Sequence, residues 1–195
     1  MRPLRNSASR PEQEAAILKA AAEEVTLVGL SRASLDVIAR QAGVSRSTLY
    51  RRFPSREALI TELGRQAFDA SMARLHTVSV DSGLAEASVA AFCEGLTLLT
   101  TEPLMRRFLQ LDENLTVTTG MFDESREFLA RASEAMRKAL RTAGATMPDR
   151  DLMAVAELHI RLAVSLAQIR TAALDVGDAA AVRDYARKYL APLVW

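Results

Sequence analysis

The chain has 195 residues, 49% of them hydrophobic and 25% charged, with 25 basic against 24 acidic side chains and a net charge of +1. That composition excludes a disordered chain, a collagen-like repeat and a disulfide miniprotein, because apolar content is ample and Cys93 is the single cysteine. No uninterrupted apolar run approaches the ~20 residues that cross a bilayer. Arg2, Arg5 and Arg10 enclose no apolar stretch of the kind a secretory signal needs, and one unpaired thiol fits a reducing cytoplasm.

Helical punctuation recurs along the chain and nowhere does a run alternate apolar and polar residues, so the expected fold is all-α, with about nine helices. In the first helix Pro11 suits the first helical position and Glu12 and Glu14 favour the positive end of the dipole. Ile17, Ala21, Val25 and Val28 share one face until Gly29 stops it. Ser34 is placed to cap a short second helix in which Leu35, Ile38, Ala39 and Ala42 recur at helical spacing, and Gly43 suits the left-handed turn that ends it. Ser45 then caps a third helix, closed by Pro54. Ser55 opens a fourth that reaches about His76, carrying Leu59, Leu63, Phe68, Met72 and Leu75.

A join is expected over 77–83, dividing the chain into domains at about 10–70 and 80–195. Beyond it the punctuation predicts helices over 84–99, 102–112 and 123–143, the last ended by Gly144 and preceded by a polar loop through Gly120. Pro148 and Asp149 start a helix expected to reach Val176, and a final one covers 178–191.

Charge is polarised along this order. Residues 1–76 carry 12 basic and 8 acidic side chains, whereas 77–195 carry 13 and 16. Between Ser45 and Arg56 stand Arg46, Arg51, Arg52 and Arg56 with no acid among them, a local field suited to an anionic polymer. Two short helices joined by a tight glycine turn pack only by crossing steeply. Ala39 and Ala42 supply the small contact, and Val44, Leu49 and Phe53 the apolar plug, which is a helix-turn-helix pattern. With Leu49 and Phe53 inward, Ser47, Thr48 and Arg51 face outward and Arg46, Tyr50 and Arg52 lie on the flanks. Short hydroxyls and arginine suit base edges in a major groove, while Tyr50 and the capping hydroxyls suit phosphate oxygens.

The run IARQAGVSRSTLYRRFPSREAL, from Ile38 to Leu59, preceded by ILKAAAEEVTLVGLSRASLDV, closely resembles the DNA-binding domain of TetR-family transcriptional regulators. The likeness rests on Ile38-Ala39, Ala42 to Ser45, Thr48 to Tyr50, Phe53 and Arg56-Glu57, and spans about Glu12 to Ala70. Arg56 stands where lysine is usual and Ser47 where a small residue is frequent. The resemblance implies that Arg46, Ser47, Thr48, Arg51 and Arg52 face bases or nearby backbone and that Tyr50, Ser34 and Arg56 hold phosphates. It further implies a larger helical C-terminal domain, linked through helix 4, that binds a ligand and forms a homodimer.

In the helix after Pro148 the residues Leu152, Val155, His159, Leu162, Leu166 and Ile169 follow a heptad spacing, and Val182, Tyr185 and Tyr189 give the last helix a similar stripe. These are the expected dimer contacts, against the alternative of a helix buried within its own core. His159 suits a dimer mate or a backbone carbonyl better than a ligand. Phe92, Leu96, Leu99, Met105, Phe108, Leu111, Met121, Phe122, Phe128 and Met136 are the large soft side chains from which the family resemblance would build an apolar pocket, and Cys93 reads as a small buried hydrophobe.

With His76 and His159 the only histidines and with no metal-ligand spacing, phosphate loop or nucleophile elbow, neither catalysis nor a cofactor nor a metal is expected. The reading is a cytoplasmic transcriptional regulator, a repressor released from a pseudo-palindromic double-stranded DNA operator by a small apolar effector, with no membrane partner. Its alternative is an effector-independent dimeric DNA-binding or architectural protein.

Overall fold

The computed structural model describes residues 9–78, 83–109, 119–169 and 172–195, and the side chains of these except 75–78, 109 and 119–125. Among the described residues there are nine α-helices and no β-strand: α1 (Arg10–Val28), α2 (Leu35–Gln41), α3 (Arg46–Arg52), α4 (Arg56–Val78), α5 (Gly83–Thr101), α6 (Pro103–Leu109), α7 (Thr119–Thr142), α8 (Asp149–Gln168) and α9 (Ala179–Tyr189), followed by a 3-10 turn at Ala191–Leu193. They form two compact units, Met1–Phe68 and Asp69–Trp195, divided within α4 rather than at a loop.

In the first unit α1 begins one residue before Pro11. Ser9 Oγ accepts from the Glu12 backbone N–H at 3.4 Å and the Glu12 carboxylate accepts from the Ser9 N–H at 2.6 Å, a reciprocal cap. Ile17, Leu18, Ala21 and Val25 form the buried face of α1. Glu24 is buried beside them, and its carboxylate accepts from the Ser34 backbone N–H at 3.2 Å. The Ser34 side chain, expected to cap α2, makes no capping hydrogen bond. The start of α2 is instead secured from α1, by a carboxylate ten residues upstream.

The turn between α2 and α3 follows the expectation for Gly43. Its φ is +67°, its N–H donates to Arg40 O at 3.2 Å and the Val44 N–H donates to Ala39 O at 3.0 Å, a Schellman arrangement. A Cβ added at Gly43 would meet nothing within 4 Å, so only the left-handed backbone opposes a side chain. Gly43→Ala is expected to lower the unfolding free energy of the first unit by about 1–2 kcal/mol, read from denaturant titration of the full chain.

In the second unit α5 is the central helix, packed against α6, α7, α8 and α9. It has 19 residues with a mean hydropathy of 1.2 over its most apolar window, long and apolar enough by itself to cross a bilayer. Glu86 and Glu94 interrupt its apolar residues, so no long uninterrupted run marks it in the sequence. Val89, Phe92 and Leu96 are buried in the unit, and Glu86 pairs with Arg187 of α9 at 3.0 Å while Glu94 pairs with Arg74 of α4 at 2.9 Å. Those contacts are what a core helix makes.

A second cluster joins Met136 and Leu140 of α7 to Leu152 and Ala156 of α8, Ala91 of α5 and Val194, with Val155 packed against it. The Trp195 carbonyl accepts from the Thr146 and Met147 N–H groups at 2.7 and 3.0 Å, holding the last residues to the α7–α8 turn.

The helix expected to reach Val176 ends at Gln168. Ile169 is extended (φ −121°, ψ 113°), Leu174 is buried, and Asp175 accepts from the Gly177 N–H at 2.9 Å. Asp178 then caps α9 by accepting from the Ala180 and Ala181 N–H groups. No local breaker stops α8 at this point. Further along, Leu174 is buried in the unit and α9 packs along α5.

Candidate nucleic-acid interface

The helix-turn-helix is built as its apolar spacing requires. Leu49 is fully buried and Phe53 nearly so, which leaves Ser45, Arg46, Ser47, Tyr50 and Arg51 exposed and Thr48 and Arg52 half-buried. Ser45 caps α3, its Oγ accepting from the Thr48 N–H at 3.1 Å. The Ser45 hydroxyl also donates to Thr48 Oγ1 at 3.0 Å and lies 2.9 Å from Ser47 Oγ. Arg51 Nη2 reaches Thr48 Oγ1 at 3.4 Å. Three hydroxyls and one guanidinium are therefore linked on one exposed face before any partner arrives, which reduces the ordering cost of a later contact.

The four arginines are used differently. Among the described residues Arg51 bonds within α3, to Thr48. Arg46 Nη1 lies 3.0 Å from Asp36 Oδ1, a pair in which both side chains are more than 60% exposed, and its guanidinium carbon stands 5.7 Å from the centre of the Tyr50 ring. The Tyr50 hydroxyl and the Asp36 charge raise the Arg46 pKa. Arg52 donates through Nε and Nη2 to Gln13 Oε1 at 3.3 and 2.8 Å, bracing α3 against α1. Arg56 donates to the Leu30 carbonyl. Arg52 and Arg56 thus hold the unit together with groups the sequence assigned to bases and phosphates. Side-chain spacing along one helix carries no information about Gln13 or Leu30, which approach from elsewhere in the chain.

The stripe expected at a dimer interface is largely turned inward. Leu152 and His159 are fully buried within the chain, Leu166 and Val182 are buried, and Val155 packs on the α7–α8 cluster. Leu162 and Tyr185 are half-buried, while Ile169 and Tyr189 are exposed. Most of the heptad stripe therefore packs inward against α5 and α7, while Ile169 at its end stays exposed. The stripe leaves out Leu158, which is 54% exposed on the other side of α8. Both faces of α8 are apolar, and only packing distinguishes the one that α7 covers.

His159 settles on the backbone carbonyl. Its Nδ1 is 2.8 Å from Val155 O, which requires Nδ1 to carry the proton, and Nε2 then accepts from Ser88 Oγ at 3.0 Å. Phe92 meets the ring edge-on at 6.3 Å. Burial lowers the His159 pKa and keeps the imidazole neutral.

His159 and Phe92 also wall a cavity of about 40 Å³, closed by Gly95 of α5, Ala132 and Met136 of α7 and Ala163 of α8, with Met72 of α4. Of the pocket residues expected from sequence, Phe92 and Met136 line it, while Leu111 and Met121 lie outside the residues whose side chains are described. Leu96, Leu99 and Met105 are buried elsewhere in the unit, Phe108 and Phe128 are half-buried away from the cavity, and Phe122 lies outside the residues whose side chains are described. Large side chains fill space rather than leave it. The signal in the sequence was the small residues Ala132, Ala135 and Ala139, spaced along one face of α7. Among the described residues no group of three His, Cys, Asp or Glu is placed to hold a metal.

Residues 17–63 match the family model described as bacterial regulatory proteins, tetR family. No curated protein matches the chain. Among solved structures, a TetR-family transcriptional regulator from Pectobacterium atrosepticum is 20% identical with a TM-score of 0.66, covering 95% of each chain. The TetR family repressor AlkX from Dietzia, implicated in biodegradation of n-alkanes, is 17% identical with a TM-score of 0.63, covering 94% of this chain and 97% of its own. The fatty acid degradation regulator FadR from Bacillus halodurans is 14% identical with a TM-score of 0.63, covering 91% and 97%.

Proposed function

From the match of residues 17–63 to the tetR-family model and the exposed face of α3, we propose that the chain is a TetR-family repressor that docks as a homodimer on a pseudo-palindromic duplex operator and is released by a small apolar ligand. Support for the docking comes from one observation: the exposed face of α3, where Ser45, Ser47, Thr48 and Arg51 are already bonded to one another above a buried Leu49. Arg51 takes a base edge, since a guanidinium fork matches guanine. The hydroxyls approach closely, and Tyr50 stands beside the backbone.

One short helix reads few base pairs, so a two-fold dimer with half-sites about one helical turn or its multiples apart doubles the contacts. Leu158, Ile169 and Tyr189, left exposed by α8 and the residues around α9, supply the apolar surface for it. The ligand enters at the cavity beside Phe92 and His159. Pockets for drug-sized ligands hold about 300–1,000 Å³, so a ligand there spreads α7 from α5 and α8. Met72 places α4 in the cavity wall, and α4 begins at Arg56 in the first unit, which gives the ligand a route to the recognition helix. Release requires only that the ligand prefer the non-binding state by a few kcal/mol. The small present volume favours a second reading, a dimeric regulator that needs no effector.

Selection of duplexes from a random pool tests the core of this reading. The selected sites are expected to be pseudo-palindromic and to bind two chains each, read by sedimentation. A chain that stays monomeric at micromolar concentration, or a pool that yields no enriched sequence, refutes it. A small-molecule library screened by thermal shift, followed by duplex binding with each stabilising compound, separates the two readings: stabilisation with unchanged operator affinity leaves the effector-free regulator.

A further inference from the structure

The one acidic side chain between residues 33 and 56 is Asp36, at the start of α2, and its carboxylate is given to Arg46, the first residue of α3. A single guanidinium nitrogen, Nη1, reaches both carboxylate oxygens, at 3.0 Å to Oδ1 and 3.2 Å to Oδ2, while the same guanidinium lies over Tyr50. Both partners are exposed, and an exposed pair of this kind adds little to folding stability. Its consequence lies in what the surface offers to a polyanion. A cation already neutralised by a carboxylate releases fewer counterions on meeting phosphates, and the carboxylate itself repels them. Neither effect touches Arg51 or Thr48, which bond to each other and not to Asp36.

We infer that Asp36 is a specificity-determining positioning residue, which ties Arg46 across the gap between α2 and α3 and so withholds one cation from the DNA backbone. Resting on the DNA-binding reading above, it assigns Asp36 the repulsive half of discrimination, weakening contacts every sequence offers while leaving base contacts intact. On a duplex of arbitrary sequence, docking is carried by phosphates alone, and the loss is felt in full. On a selected duplex, base contacts fix the register of α3, and Arg46 at its first turn keeps its carboxylate partner.

The test measures wild type, Asp36→Asn, Arg46→Ala and the double variant on a mixed-sequence duplex and on a duplex selected by the wild type, across a salt series. Asp36→Asn is expected to bind the mixed-sequence duplex about fivefold more tightly near 0.1 M salt, to steepen the salt slope by about 0.9, and to lower the ratio of selected to mixed-sequence affinity. In the Arg46→Ala background the same substitution loses most of its effect. An unchanged slope, an equal gain without Arg46, or an equal gain on both duplexes overturns the inference while DNA binding stands. A wild-type chain with no salt-dependent duplex binding overturns the DNA-binding reading and this inference together.

Discussion

Arg51→Ala lowers affinity for a selected duplex by about 10- to 100-fold and relaxes the preference at one base position in each half-site. That range is the worth of one good bidentate arginine contact, about 1–3 kcal/mol per base, here counted once or more across a dimer. Arg51 is exposed and, among the described residues, bonded to Thr48 at 3.4 Å, so its removal costs the fold little and the loss is read at the interface. Arg56→Ala is the informative contrast. The Arg56 guanidinium donates to the Leu30 carbonyl in a half-buried setting, and a hydrogen bond from a charged group is worth about 1.5–3 kcal/mol. Its loss lowers the unfolding temperature of the chain and weakens selected and mixed-sequence duplexes alike. Thermal melts and binding titrations on both duplexes separate the two arginines. Equal behaviour of the two variants on specific and random DNA would reverse their assignment.

His159→Leu removes the His159 share of the fall in stability below pH 6.5, and lowers the stability of the chain by about 1–3 kcal/mol at neutral pH. The loss at neutral pH comes from Ser88, whose Oγ is within a fully buried residue and loses its partner at 3.0 Å. The pH effect follows from linkage. Burial holds the folded imidazole neutral, with its pKa below the ordinary 6.5, while in the unfolded chain the imidazole takes up a proton near that value. Falling pH therefore favours the unfolded chain. The stabilising contribution is complete above 6.5 and is lost as pH drops toward the folded value. Denaturant titrations of wild type and variant from neutral pH downward check it: the wild-type curve falls with acidity, and the variant lacks the His159 share of that fall. Parallel curves would mean that the imidazole takes up its proton in the fold as readily as in the unfolded chain, contradicting its burial between Val155 and Ser88.

Local chemistry was sufficient for most of the helical frame. Gly43 and Gly144, with φ of +67° and +105°, end α2 and α7 because a left-handed residue is needed there and glycine adopts it without strain. Ser45 caps α3 for an equally local reason. Likewise the inward turn of Leu49 and Phe53 follows from helical spacing alone, so the outward placement of Ser47 and Arg51 followed too. The Ser9–Glu12 capping box is also written in adjacent residues, one position ahead of Pro11.

What the chain order could not reveal was which long-range partner claims a group with two possible uses. Arg52 and Arg56 read as cations for DNA, yet Gln13 and the Leu30 carbonyl also claim them, and nothing beside Asp36 in the chain marks it as the partner of Arg46. The same holds for α8, whose heptad stripe is apolar enough for a dimer seam or a core, and which α5 and α7 convert into core. Sequence alone determined most of the helices, the Ser45 cap, the glycine turn and the polar face of α3, because each depends on neighbours within a few residues and on fixed backbone sterics. Tertiary structure alone decided the fate of His159, the position of the alanine-lined cavity and the early end of α8. Those outcomes depend on burial, which is settled only when segments far apart in the chain compete for the same space.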